Sequence, residues 1–86
     1  MTYQVRIKPT AEKAIERLDP KIRERVYEVV RALAINPRPD GCKKLKGQLR
    51  NRYRVKAAWA WVIIYVVDDQ PMTVEVIDVD TRGDVY

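Results

Sequence analysis

The sequence predicts a single α+β domain with the order β-α-α-β-β-β, in which two N-terminal helices pack on a small, mostly antiparallel four-stranded sheet. Three observations predict it. After one short alternating segment, the first half places its apolar residues at helical spacing. The second half holds three segments with strand patterning, joined by short connections. A chain of 86 residues has room for one hydrophobic core, so the domain spans residues 1–86.

The elements follow in order. Tyr3 to Lys8 alternates, with Tyr3, Val5 and Ile7 on one side, and reads as a first strand. Thr10 is an expected N-cap, opening a helix whose stripe is Ala11, Ala14, Ile15 and Leu18. Asp19-Pro20 then pairs a capping carboxylate with a proline suited to the first helical position. The second helix carries Ile22, Val26, Val29, Val30 and Leu33 on one face and Glu24, Glu28 and Arg31 on another. Asn36 to Gly41, with two prolines and a terminal glycine, stops it and forms a loop.

Arg52 to Lys56 alternates again, with Tyr53 and Val55 on one face and three cations on the other. Trp59 to Val67 is almost wholly apolar, as expected of a central strand covered on one or both faces. Trp59 and Trp61 are expected to share a face of it, as core or partner-binding residues. Asp68 to Pro71 reads as a turn. Met72 to Val79 alternates less cleanly: Met72, Val74, Val76 and Asp78 on one side, Thr73, Glu75, Ile77 and Val79 on the other. Short connections between the last three strands imply antiparallel pairing.

Composition narrows the chemistry. There is no histidine, so neither a His general base nor a Ser-His or Cys-His nucleophile pair is available. One cysteine, Cys42, permits no internal disulfide and no all-cysteine metal site. No cofactor or metal is expected. The longest apolar run, Ala57 to Val67, falls well short of the ~20 residues that cross a bilayer, and no signal-peptide pattern opens the chain; the expectation is a cytoplasmic protein without a membrane partner.

The net charge of +5 is unevenly spread. Arg38, Lys43, Lys44, Lys46, Arg50, Arg52, Arg54 and Lys56 face one carboxylate, Asp40, within their window, and the remainder of the chain is net acidic. A concentrated basic block on a small domain is the footprint of a polyphosphate partner. Arg52, Arg54 and Lys56 at spacing two lie on one strand face, about 6.6–7 Å apart, close to the phosphate repeat of an extended single strand. In the tail, Arg82 is suited to gripping a phosphate with two parallel hydrogen bonds, and Tyr86 to stacking or proton transfer.

Read together, Leu18 to Arg25, Asn36 to Gly47, Tyr53 to Lys56, Val62 to Tyr65 and Arg82 to Tyr86 resemble the RelE/ParE toxin superfamily, and its RelE branch more closely, over essentially the whole chain. The resemblance implies a toxin of a type II toxin–antitoxin system that enters the ribosome and cuts mRNA. The substrate 2′-hydroxyl attacks the adjacent phosphate, and no metal is used. It implies catalytic roles for Arg54, Lys56, Arg82 and Tyr86, and RNA binding by Lys43, Lys44, Lys46, Arg50 and Arg52. Lys56, crowded by like charges, is a candidate base, and Arg82 suits the developing negative charge. The implied partners are the ribosome with its mRNA and a small, acidic, partly disordered antitoxin, with Trp59 and Trp61 as candidate anchors. Two departures from the family pattern stand out: the stretch Ala58 to Val62 holds no arginine where one usually leads into the third strand, and Thr81 precedes Arg82 where His or Lys is common. The superfamily also contains gyrase inhibitors and leaves room for a non-catalytic binding module.

Overall fold

The structure, a computed structural model, describes residues 2–45 and 52–81. The elements are β1 (Gln4–Ile7), α1 (Pro9–Glu16), α2 (Pro20–Ile35), β2 (Lys43–Lys44), β3 (Arg52–Ala58), β4 (Trp61–Asp68) and β5 (Thr73–Asp80). The sheet order is β1-β5-β4-β3-β2. β1 runs parallel to β5, and every other pair is antiparallel. Both helices cover one face, α1 over β5 and α2 over β1 and β3.

The α+β class and the helix–helix–strand order match the expectation, but the sheet is five-stranded and mixed. The added strand is β2: two lysines carry no strand pattern of their own, and their pairing is supplied by β3, with Lys43 opposite Arg54 and Lys44 opposite Tyr53. The direction of β1 relative to β5 depends on residues some seventy positions apart (Gln4 opposite Thr73), which no local pattern encodes.

Helix starts follow elementary rules. Asp19 caps α2 by accepting a hydrogen bond from the Lys21 amide at 3.0 Å, and Pro20 opens the helix where its missing N–H costs nothing. In α1 the cap is Lys8, with Pro9 as first helical residue, so Thr10 lies inside the helix and does not cap it. Ala11, Ile15, Leu18, Val26, Val30 and Leu33 form the buried helical side of the core.

The sheet side is Tyr53, Val55, Ala57, Ile63, Tyr65, Val67, Val74, Val76 and Val79. Val76 and Val79 are three residues apart yet share this face. A bulge explains it: Ile64 pairs with Asp78 and Tyr65 with Val76, leaving Ile77 as the extra residue. The bulge returns Val79 to the core and turns Asp78 to the opposite face, which reverses the sides expected for these two residues. β4 is buried on both faces, with Ile63 and Tyr65 fully enclosed and Val62 and Val66 at 3% and 5% exposure.

Ile63→Ala is expected to destabilise the fold by about 2–5 kcal/mol through cavity formation. Ile35→Ala, at a residue 74% exposed, is expected to change stability by less than about 0.5 kcal/mol. Urea denaturation midpoints of the two variants check the contrast.

Candidate nucleic-acid interface

The sheet face opposite the helices carries the charge. Residues directly opposite in a ladder share a face, so the register assembles three rows across it. Arg52, Val66, Glu75 and Arg6 form the first; Lys43, Arg54, Ile64 and Asp78 the second; Lys56, Val62 and Asp80 the third. Along β3 the face is therefore Arg52, Arg54 and Lys56; along β4 it is Val62, Ile64 and Val66; along β5 it is Glu75, Asp78 and Asp80. Strand spacing puts the cationic and acidic lines about 10 Å apart.

That polarity was only half legible. The cationic line was expected, but the acidic line depends on the bulge that turns Asp78 outward, which nothing in the sequence announces. The consequence is electrostatic: a polyanion is drawn to β3 and repelled from β5, so its path along the face is confined.

The individual cations differ. Lys43 and Lys56 are exposed and Arg52 is half-buried. Arg54 is 6% exposed, the one buried charged residue among those described, and it already has partners within the chain. Lys44 pairs with the inward-facing Tyr53, so it sits on the opposite face from Lys43. Lys46, Arg50, Arg82 and Tyr86 lie outside the described residues. The two tryptophans do not share a strand face: Trp59 lies in the turn between β3 and β4 and is 69% exposed, whereas Trp61 is half-buried against the core. A register shift between Lys56 and Ala58 shortens the apolar run into a separate turn and strand.

One cluster that sequence reasoning missed holds the cationic strand in place. The Arg38 guanidinium makes two hydrogen bonds to the Asp69 carboxylate, at 3.2 and 3.0 Å, and donates from Nε to the Tyr53 hydroxyl at 3.0 Å. It also lies 5.3 Å from the Tyr53 ring centroid. The Tyr3 hydroxyl donates to the same carboxylate at 2.7 Å. Tyr53 stacks on Tyr65, with centroids 5.8 Å apart, and the Tyr65 hydroxyl donates to the Pro37 carbonyl at 2.8 Å. The α2–β2 loop, the N-terminus, β3, β4 and the β4–β5 turn thus meet at one place. The only sequence signal was an arginine between two prolines.

The cluster shifts its members' proton affinities. Hydrogen bonds from Arg38 and then Tyr3 hold the Asp69 carboxyl below its ordinary range. The bond to Asp69 raises the Tyr3 phenol, and the same carboxylate raises Arg38 further. Burial, above all, pushes the Tyr65 phenol up. Among the described residues no group of three or more His, Cys, Asp or Glu side chains is placed to hold a metal, and no helix is long and apolar enough to cross a membrane.

Residues 5–86 match the family model described as ParE toxin of type II toxin-antitoxin system, parDE. The chain belongs to this family. It is a toxin of the RelE/ParE superfamily from a type II toxin–antitoxin system. It is 24% identical over 85 residues to the RelE4 protein of Methanocaldococcus jannaschii, covering 98% of this chain and 90% of that one. The fold is similar to that in the archaeal RelE–RelB complex of Pyrococcus horikoshii, with TM-score 0.84, 26% identity and coverage of 96% of this chain and 98% of that one. The toxin–antitoxin complex RelBE2 of Mycobacterium tuberculosis matches with TM-score 0.80, 27% identity and coverage of 93% and 98%.

In this toxin, Asp69 contributes stability above the ordinary carboxylate value of 3.8, because its folded-state value lies lower, and loses that contribution as pH falls through the folded value. Asp69→Asn is therefore expected to lower the urea midpoint at neutral pH and to show a shallower loss of stability than the parent between about pH 4 and pH 2. Denaturation curves across that range check the sign.

Proposed function

We propose that this toxin is a metal-independent, ribosome-dependent mRNA endonuclease, attenuated relative to its family. The observation that carries the reading is the line of Arg52, Arg54 and Lys56 on one rigid strand, flanked by Lys43 and bounded by the carboxylates of β5. The RNA backbone follows β3. Lys43, Lys44, Lys46, Arg50 and Arg52 supply attraction for it, with Lys44 serving from the other face of the edge strand.

The reaction needs alignment and positive charge more than covalent help. The 2′-hydroxyl attacks the neighbouring phosphorus, the bond to the 5′ oxygen breaks, and a 2′,3′-cyclic phosphate forms. Lys56, exposed at the end of the cationic line, takes the 2′ proton. Tyr86 orients the nucleophile, and the departing 5′ oxygen takes a proton from water. Arg82 neutralises the charge that builds on the phosphate. Arg54, buried and engaged within the chain, acts from below the surface by holding the cationic line in place and adding to its field.

Attenuation follows from Val62. It lies between Lys56 and Asp80 in the third row, at 3% exposure, so the stretch Ala58 to Val62, which lacks the family's arginine, ends on a residue that adds no charge beside the candidate base. An acidic, partly disordered antitoxin would silence the toxin by covering the cationic face. Among the two indoles, Trp59 has the surface open to a partner. The RelE–RelB and RelBE2 complexes support an antitoxin partner, and say nothing of its charge or order. The ParE description of the family favours a second reading, inhibition of DNA gyrase. The buried valine at position 62 favours a third, a module that binds its antitoxin without cutting RNA.

Mapping mRNA ends on translating ribosomes separates the three. Codon-linked cuts are expected; gyrase-dependent DNA damage would point to the second reading, and neither to the third. Lys56→Ala is expected to lower cleavage by about 10²-fold or more, while Val62→Arg is expected to raise it by about 10–10²-fold. Intact ribosome-dependent cleavage in Lys56→Ala would remove the base role.

A further inference from the structure

Trp59 sits in the β3–β4 turn at φ 50°, a conformation that glycine or asparagine adopts freely and a bulky residue adopts under strain. Its indole forms one wall of an open groove of about 530 Å³, whose other wall is Lys21, Glu24, Arg25 and Glu28 of α2. These four occupy helix positions i, i+3, i+4 and i+7, so they form one stripe. All four are exposed, and Arg25 and Glu28 form a loose ion pair at 3.6 Å.

The charges along the stripe run plus, minus, plus, minus. Turned end for end, the order is inverted. A second copy of α2 laid antiparallel therefore sets Lys21 against the partner's Glu28 and Glu24 against the partner's Arg25, and symmetry repeats both pairs. At 1.5 Å rise per residue, Lys21 and Glu28 lie equally far, about 5.3 Å, from the midpoint between residues 24 and 25, so the pairs align without offset. Such self-complementarity is what a two-fold contact requires.

We propose that this groove is a self-association surface, occupied by α2 of a second copy of this chain. Each Trp59 packs on the stems and cationic ends of the partner's Lys21 and the partner's Arg25, a contact an exposed indole face favours. The stripe has no net charge, so charge draws neither RNA nor an acidic partner to it; the proposal stands apart from the reading of the sheet face and shares with the antitoxin reading only Trp59.

Sedimentation equilibrium of the full chain tests it. A monomer–dimer equilibrium is expected, weakened by salt. Lys21→Glu and Glu28→Lys each turn two attractive pairs repulsive and are expected to weaken the dimer about tenfold. The double variant Lys21→Glu/Glu28→Lys restores the pairs in reverse and is expected to recover the parental affinity. Trp59→Gly relaxes the turn and is expected to keep the parental circular dichroism spectrum while weakening the dimer at least tenfold. A chain that stays monomeric up to millimolar concentration overturns the proposal. So does a dimer that the single charge reversals leave unchanged, or a loss that the double reversal does not restore.

Discussion

The burial of β4 on both faces and its pairing on both edges constrain everything else in this protein. With Ile63, Tyr65 and Val67 turned to the helices and Val62 and Val66 enclosed on the other side, a one-residue slip would exchange two differently shaped apolar sets. The register of β3 and β5 is therefore determined by β4. Once β3 is held with Tyr53 and Val55 inward, Arg52, Arg54 and Lys56 have only the opposite face to occupy. The cationic line is a consequence of core packing as much as of charge.

A second level of order comes from Arg38. Its paired hydrogen bonds to Asp69 are partly exposed, and such pairs contribute modestly on their own. Its significance lies in what it joins: the loop leaving α2, the turn between β4 and β5, and the Tyr53–Tyr65 stack. The loop runs directly into β2, so the clamp also determines where Lys43 meets the sheet. The bulge in β5 then divides the outer face into a cationic and an acidic side. A surface of this kind directs a polyanion along one strand instead of holding it anywhere on a diffuse patch.

Two surfaces of different character result. The sheet face is strongly polarised, cationic along β3 and acidic along β5. The α2–Trp59 groove is electrically neutral along its length and has an apolar wall. Because the two surfaces have no residue in common, either can be altered by substitution while the other keeps its side chains.

Much of this was legible in the residues themselves. The Asp19-Pro20 cap, the stripes of both helices, the apolar run of β4 and the alternation of β3 are local patterns, because a side chain's period along its own backbone reports which face it turns to the core. From them follow the α+β class, the order of the main elements and the presence of cations on one strand face. The parallel direction of β1, the short strand β2, the bulge that turns Asp78 outward, the turn that separates Trp59 from Trp61, and the meeting of Tyr3, Arg38, Tyr53 and Asp69 were decided only by the tertiary structure. Each depends on residues distant in sequence competing for the same neighbours, and a period read along one segment carries no information about which other segment will lie beside it.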